Sequence, residues 1–249
     1  YMWQQVRQDY WDNGNTKTAS SNQSPHGYGY RNNSEKFSWQ ITNTLNYAFN
    51  VKEAHRFNVL LGQETWYQES MNLDNEYRKF SDGNFGLNDV SMGTPQTWKS
   101  GKSRVGLVSL FGRLSYNYSD RYLATYTYRY DGNSNFGPNN RWAGFHSFAA
   151  SWRFSNERFF ESLKKVVSNG KVRVGWGQTG NSGIGSYKWG TSMRQVYTSL
   201  GQGYRPSNIP NLDIQWESQE QWNIGLDLGF FNDRVNITAD WYQKESKNM

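Results

Sequence analysis

Three groups of residues in this 249-residue chain have types and spacings that chemistry can use. The first is the run Gly175-Trp176-Gly177-Gln178-Thr179-Gly180, which has the spacing of a dinucleotide phosphate loop. Such a loop needs a buried apolar strand before it and a helix after it. Here Lys171-Val172-Arg173-Val174 alternates instead, and a glycine-rich stretch, Asn181 to Ser186, follows. The glycines therefore read as relief of crowding where a strand bends into a loop. The second group is the three histidines, His26, His55 and His146. They lie far apart, with no His-Glu-x-x-His and no carboxylate cluster at ligand spacing, so no metal and no cofactor is expected. The third is Glu64, Asp227 and Asp240, carboxylates set among aromatic residues. Glycoside hydrolysis needs two carboxyls roughly 5–10 Å apart. No spacing singles out a pair, and filling of a polar strand face is the better reading. No Ser-His-Asp arrangement can be picked out either, so the chain reads as a non-enzyme. The sequons at Asn117 and Asn236 fall in or at the end of strands and carry no weight.

Composition narrows the class. Hydrophobic residues make up 35%, aromatics 17%, and cysteine is absent. Without cysteine there are no disulfides, thiolate metal sites or cysteine nucleophiles. No apolar run approaches the ~20 residues of a transmembrane helix. Low average hydropathy does not exclude a barrel, which spreads its apolar residues over alternate positions. The formal charge of +6 comes from scattered basic residues. Nucleic-acid binding would want a basic stripe or a motif, and neither is present.

The elements that would position any site are strands. Phe37, Trp39, Ile41, Leu45, Tyr47 and Phe49 alternate with Ser38, Gln40, Thr42, Thr44 and Asn46, and Asn43 alone breaks the apolar face. Tyr122, Ala124, Tyr126, Tyr128 and Tyr130 oppose Arg121, Thr125, Thr127 and Arg129. Trp222, Ile224, Leu226, Leu228 and Phe230 oppose Asn223, Gly225, Asp227 and Gly229. Val235, Ile237, Ala239 and Trp241 oppose Asn236, Thr238, Asp240 and Tyr242. Period two marks half-buried strands. Weaker strands are expected near 1–11, 55–67, 104–118, 141–154 and 170–179, about nine in all. Many reach the ~9–11 residues that cross a bilayer at a tilt, longer than ordinary globular strands.

The connections alternate between long and short. Residues 12–36, 68–103, 131–140 and 180–217 read as loops. Residues 50–54, Ser119-Asp120 and the two-residue turn Asn232-Asp233 are short. Residues 155–169 read as a short amphipathic helix capped by Asn156, with Phe159, Phe160, Leu163, Val166 and Val167 on one face. Outer-membrane barrels sort their connections in this way, short on the periplasmic end and long outside. Trp11, Trp66, Trp142, Trp152, Trp176, Trp222 and Trp241 fall in or beside strands, as an interfacial aromatic girdle would. The expected fold is all-β: an antiparallel transmembrane β-barrel segment, about nine long meander strands of a larger barrel. Phe37, Trp39, Ile41, Leu45, Tyr47, Phe49, Tyr126, Tyr128, Trp222, Ile224, Leu226, Leu228, Val235, Ile237 and Trp241 are expected to face lipid. A soluble carbohydrate-binding β domain is the alternative, and would turn these rows inward.

The residues also resemble a known family. RYDGNSNFGPNNRWAGFHSFAASWRFSNERFF at 129–160 resembles the signature region of SusC/RagA-like TonB-dependent receptors. KVRVGWGQTGNSGIGSYKW at 171–189, the stretch from Asn208 to Met249, and HRFNVLLGQE at 55–64 are similar to further segments of that family, in order. His146 departs from it, standing where a proline is expected. The plug domain, the TonB box and the aromatic C-terminal strand are absent from 1–249, so the chain is expected to be part of such a barrel. Tyr1 and Met249 read as cuts through a longer protein.

The resemblance implies active import of nutrients, glycans or peptides, across the bacterial outer membrane. It implies outer-membrane lipid around the barrel, a SusD-like surface lipoprotein over its mouth, and energy from the TonB complex through the plug. Trp98, Tyr187, Trp189, Arg194 and Tyr204, in the long loops, are the candidate contacts to an oligosaccharide or peptide substrate. They pair stacking rings with hydrogen bonding.

Overall fold

The computed structural model describes residues 1–13, 27–82 and 84–247. Strands β1 (Met2–Asp12), β2 (Tyr28–Val51), β3 (His55–Arg78), β4 (Thr94–Tyr118), β5 (Tyr122–Asn133), β6 (Trp142–Trp152) and β7 (Val167–Asn181) lie side by side in chain order. Strands β8 (Met193–Thr198) and β9 (Gly201–Pro206) form a separate hairpin, and β10 (Glu217–Phe230) and β11 (Val235–Lys247) complete the nine-stranded sheet after β7. This is the antiparallel meander that the alternation predicts.

Strand lengths exceed the expectation. β2 and β3 each run 24 residues and β4 runs 25. Of the segments 12–36 and 68–103, expected as long loops, residues 28–36, 68–78 and 94–103 are strand. Their Asn, Ser, Glu and Lys residues carry little β-propensity, but β1 pairs with β2 from Met2↔Ser38 to Asp12↔Tyr28. Backbone pairing with a neighbour outweighs intrinsic preference here. The remaining 79–93 connection is tightened by two 3-10 turns, Gly86–Asn88 and Val90–Met92.

The chain divides into two compact units: residues 1–40 with 66–105, and residues 41–65 with 106–249. In the first, Trp11 packs edge-on against Phe80 at 4.5 Å between ring centroids, with Tyr77, Leu87, Val90 and Met92 around them.

In the second unit the register lays residues out in rows. Leu114, Tyr126, Phe148, Trp176 and Trp222 are successive cross-strand partners. So are Tyr116, Ala124, Ala150, Val174, Ile224 and Trp241, and then Tyr118, Tyr122, Trp152, Val172, Leu226 and Ala239. The intervening rows are polar or small, such as Arg113, Thr127, Ser147, Gly177, Gln221 and Lys244. A period of two in each strand therefore becomes one apolar face and one polar face of the sheet in this unit.

The connections at one end are short: Lys52–Ala54, Ser119–Arg121 and Phe231–Arg234. Ser119 and Asp120 both take positive φ, as a tight hairpin demands. The last turn is longer than the two residues expected, because Phe231, Asn232 and Asp233 are all left-handed and Phe230 pairs with Val235. Residues 153–166 share this end. They form 3-10 turns, Phe154–Asn156 and Arg158–Leu163, in place of the expected helix. Asn156 is no cap there; its Nδ2 donates instead to the Asp120 carbonyl at 3.1 Å. Phe160 is buried while Phe159 and Leu163 are exposed, so the apolar stripe is only partly used.

At the other end, Phe136 is fully buried (0% exposed) and stacks on Trp216 at 4.6 Å, with Phe145 against both. Trp216 Nε1 donates to the Asn140 carbonyl at 3.1 Å and ties the 134–141 loop to the chain entering β10.

Candidate functional site

The apolar face is open. Leu45 is 67% exposed, Trp222 49% and Ile237 52%. Phe37, Ile41, Tyr47, Tyr126, Tyr128, Ile224, Leu226, Val235 and Trp241 are exposed as well. Trp39, Phe49 and Leu228 are half-buried. Trp39 stacks with Tyr67 at 6.0 Å, and Phe49 stacks with both Tyr47 and Phe57. No sandwich closes over these rows: among the described residues the only other sheet is the β8–β9 hairpin. From Trp222 to Phe230 the apolar row covers nine positions of β10, about 27 Å of strand, and less in height once tilted. That matches the roughly 25 Å apolar band of an outer-membrane barrel.

The polar face is cross-linked by arginine. Arg129 donates to Glu64 at 3.1 Å, to Asp131 at 2.7 Å and to the buried Ser109 hydroxyl at 2.7 Å, and lies over the Phe111 ring. Arg173 bridges Asp227 and Asp240, at 2.7 Å and 3.0 Å. The three carboxylates that invited a hydrolase reading are thus each neutralised by a guanidinium. The arrangement acts as a brace between strands. Sequence reasoning missed both arginines as organisers, although each stands on the polar side of a plainly alternating strand. What it lacked was the diagonal register that brings β3 to β5 and β7 to β11.

The short-turn end carries a hydrogen-bonded rim. Ser119 N donates to the Ala54 carbonyl at 2.8 Å, Arg153 N to Arg121 O at 2.8 Å, and Phe231 N to Val166 O at 3.0 Å. Arg56 pairs with Asp120. Glu157 accepts from Trp152 Nε1 at 3.2 Å and from Arg121 at 3.3 Å. The carboxyls of both turn residues are held below their usual range: Asp120 by Asn117 and then Arg56, Glu157 by Tyr122 and then Trp152 and Arg121.

The five candidate substrate contacts fall in three places. Trp98 is 72% exposed on β4, in the first unit, and not in a loop as expected. Arg194 and Tyr204 lie on the β8–β9 hairpin, Arg194 opposite Arg205 and Tyr204 opposite Gln195. Tyr187 is exposed with positive φ. Trp189 is half-buried against Gly137, and its indole N–H is buried without a hydrogen-bond partner. The phosphate-loop match lies within β7, where the Phe145 ring covers Gly180 and Gly177 abuts Ser147. His55 shares a hydrogen bond with Tyr116 Oη at 2.8 Å, and His146 one with Tyr126 Oη at 2.8 Å. Among the described residues no cluster could hold a metal; His26 lies outside them.

The family described as TonB dependent receptor-like, beta-barrel, matches residues 2–249. The chain belongs to that family. This receptor barrel is 37% identical over 155 residues to the TonB-dependent receptor SusC of Bacteroides thetaiotaomicron, a match covering 59% of this chain and 15% of SusC. It is 30% identical over 222 residues to the TonB-dependent receptor P39 of Formosa agariphila, covering 86% of this chain and 21% of P39. Among solved structures, that of the RagAB peptide transporter superposes on 98% of this chain and 27% of its own, with a TM-score of 0.86 and 26% identity.

The receptor barrel is accordingly SusC/RagA-like, and a protein of the outer membrane. Its family is one of transporters and receptors. The chain spans about a fifth of the length of the curated relatives it matches.

Proposed function

We propose that this chain is the middle-to-late wall of a TonB-dependent importer that carries glycans or peptides across the outer membrane. The observation that carries the reading is the exposed apolar face, set across the sheet from a polar face braced by Arg129 and Arg173. An open apolar band needs lipid, since in water it would associate. A closed sheet is the form in which strands satisfy their backbone groups inside a bilayer. The rows from Phe37 to Phe49, Tyr126, Tyr128, Trp222 to Leu228, and Val235, Ile237 and Trp241 face the lipid. The polar rows face the lumen, where the rest of the protein supplies the plug.

Partners follow from this reading. The short-turn rim faces the periplasm and the TonB complex. The loops around Phe136, Trp216 and the β8–β9 hairpin face outward, toward substrate and a SusD-like lipoprotein. Tyr187, Trp189, Arg194, Tyr204 and Trp98 are the side chains offered to substrate. In this reading Glu64, Asp227 and Asp240 brace the wall through Arg129 and Arg173.

The test is uptake by cells whose own copy of the full-length receptor is replaced. Disrupting the receptor should abolish growth on the glycan or peptide it imports. Replacing Tyr187 and Trp189 together by alanine should lower uptake while the receptor stays at normal levels in the outer membrane. Unchanged uptake removes those two residues; growth unaffected by the disruption removes the importer.

A further inference from the structure

The apolar face carries a groove of about 760 Å³ between β3, β4 and β5. Val59 and Leu61 form one wall, Tyr126, Tyr128 and Tyr130 the other, and Leu110 and Leu114 the ends. Its floor is Gly112, the cross-strand partner of Tyr128. Tyr126 and Tyr130 are paired with Leu114 and Leu110, so between those two leucines Gly112 interrupts the row of side chains on β4.

Nothing in the fold requires that glycine. A Cβ at Gly112 would meet Leu61 Cδ2 at 3.4 Å and the Leu60 carbonyl at 3.8 Å, which is ordinary contact, and its φ lies outside the left-handed region. Gly62 and Gly144 differ. A Cβ at Gly62 would stand 2.2 Å from the Phe111 ring, and one at Gly144 would stand 2.6 Å from Tyr128 Oη. Those two make room for a side chain of this protein. Gly112 makes room for none.

We propose that the groove is a binding site for one acyl chain of an outer-membrane lipid, resting on the lipid-facing reading above. It is continuous with the exposed rows of β10 and β11, and at that depth of a bilayer the molecules available to fill a cleft are hydrocarbon chains. Lining the groove are leucine, valine and the sides of tyrosine rings, which offer dispersion contacts; Arg113 also borders it, and its Nε donates to the Thr127 hydroxyl at 3.3 Å. The Leu110 end is the polar one: there Tyr130 stacks on Trp142 at 5.2 Å. Phenol and indole at that end suit the boundary between chain and headgroup. The chain lies with its headgroup toward Tyr130 and Trp142 and its methyl end toward Leu114.

Phosphatidylethanolamine carrying a diazirine in one acyl chain tests this on the full-length receptor in lipid. Label should be enriched several-fold in peptides holding Val59, Leu61 and Leu110–Tyr130 over the peptide Trp222–Phe230. Gly112→Leu should abolish the enrichment, Gly112→Ala should reduce it, and labelling of Trp222–Phe230 should stay unchanged, which also reports that the barrel is intact. Even labelling along the wall, or enrichment that survives Gly112→Leu, overturns the site and leaves the lipid-facing reading standing. Absence of label from every apolar row overturns that reading itself.

Discussion

Arg173 grips Asp227 with two prongs, Nε at 2.7 Å and Nη2 at 3.0 Å, across the β7–β10 pair. The same guanidinium reaches Asp240 on β11 at 3.0 Å, so one side chain braces three strands. Arg173→Ala leaves two carboxylates side by side with no cation between them. The side chains are partly solvated, at 38% and 27% for the Arg173–Asp227 pair, which weakens the bond. The expected loss is about 1–2 kcal/mol. Arg173→Lys keeps the charge but not the fork and should recover only part of it. Unfolding of the full-length receptor in detergent, followed by its heat-dependent gel mobility, measures both.

Ile224 and Asn223 are neighbours on β10 that point to opposite faces. Ile224→Arg puts a charge among the lipid-facing rows and should destabilise the barrel by about 2–4 kcal/mol, with lower yield in the outer membrane. Asn223→Arg, one residue away, should change stability by no more than about 0.5 kcal/mol. Equal effects from the two substitutions would contradict the assignment of faces.

The short-turn rim should respond to pH. Asp120 and Glu157 titrate below their ordinary values when folded. A depressed carboxyl adds stability above its unfolded pKa, near 4, and that contribution is lost as pH falls through the folded value. The rim should therefore loosen in acid below about pH 4 and be unaffected between neutrality and about pH 5. Hydrogen exchange at the amides of Ser119, Arg153 and Phe231 would show it, and Glu157→Gln should flatten part of the pH dependence.

Phe136 has no exposed surface and lies flat on Trp216. Phe136→Ala should cost about 3–5 kcal/mol of local stability. The 134–141 loop and the chain entering β10 should then be cut by protease at a dilution that spares the unaltered receptor, while the strands remain protected.

Much of this was legible in the alternation. The rows beginning at Phe37, Tyr122, Trp222 and Val235 separate an apolar from a polar side, because one side chain in two is all a strand needs to declare its sides. The turns expected at 50–54 and Ser119-Asp120 fall where the structure places Lys52–Ala54 and Ser119–Arg121, and were legible from their length and residue type. The polar extensions of β2, β3 and β4 were not, since Asn, Ser and Lys look the same in a loop and in a strand held by its neighbours. The 155–169 segment has a helical pattern, yet Glu157 and Asn156 are claimed by Trp152, Arg121 and Asp120 of adjoining turns, and only 3-10 turns form.

By itself the sequence determined the class of fold and the two faces of its sheet, because those depend on a local period that each strand carries alone. Only the tertiary structure decided that Arg129 holds Glu64, that Arg173 gathers Asp227 and Asp240, and that Gly112 floors a cleft. These depend on register between strands far apart in the chain, and register is set by all the pairings at once.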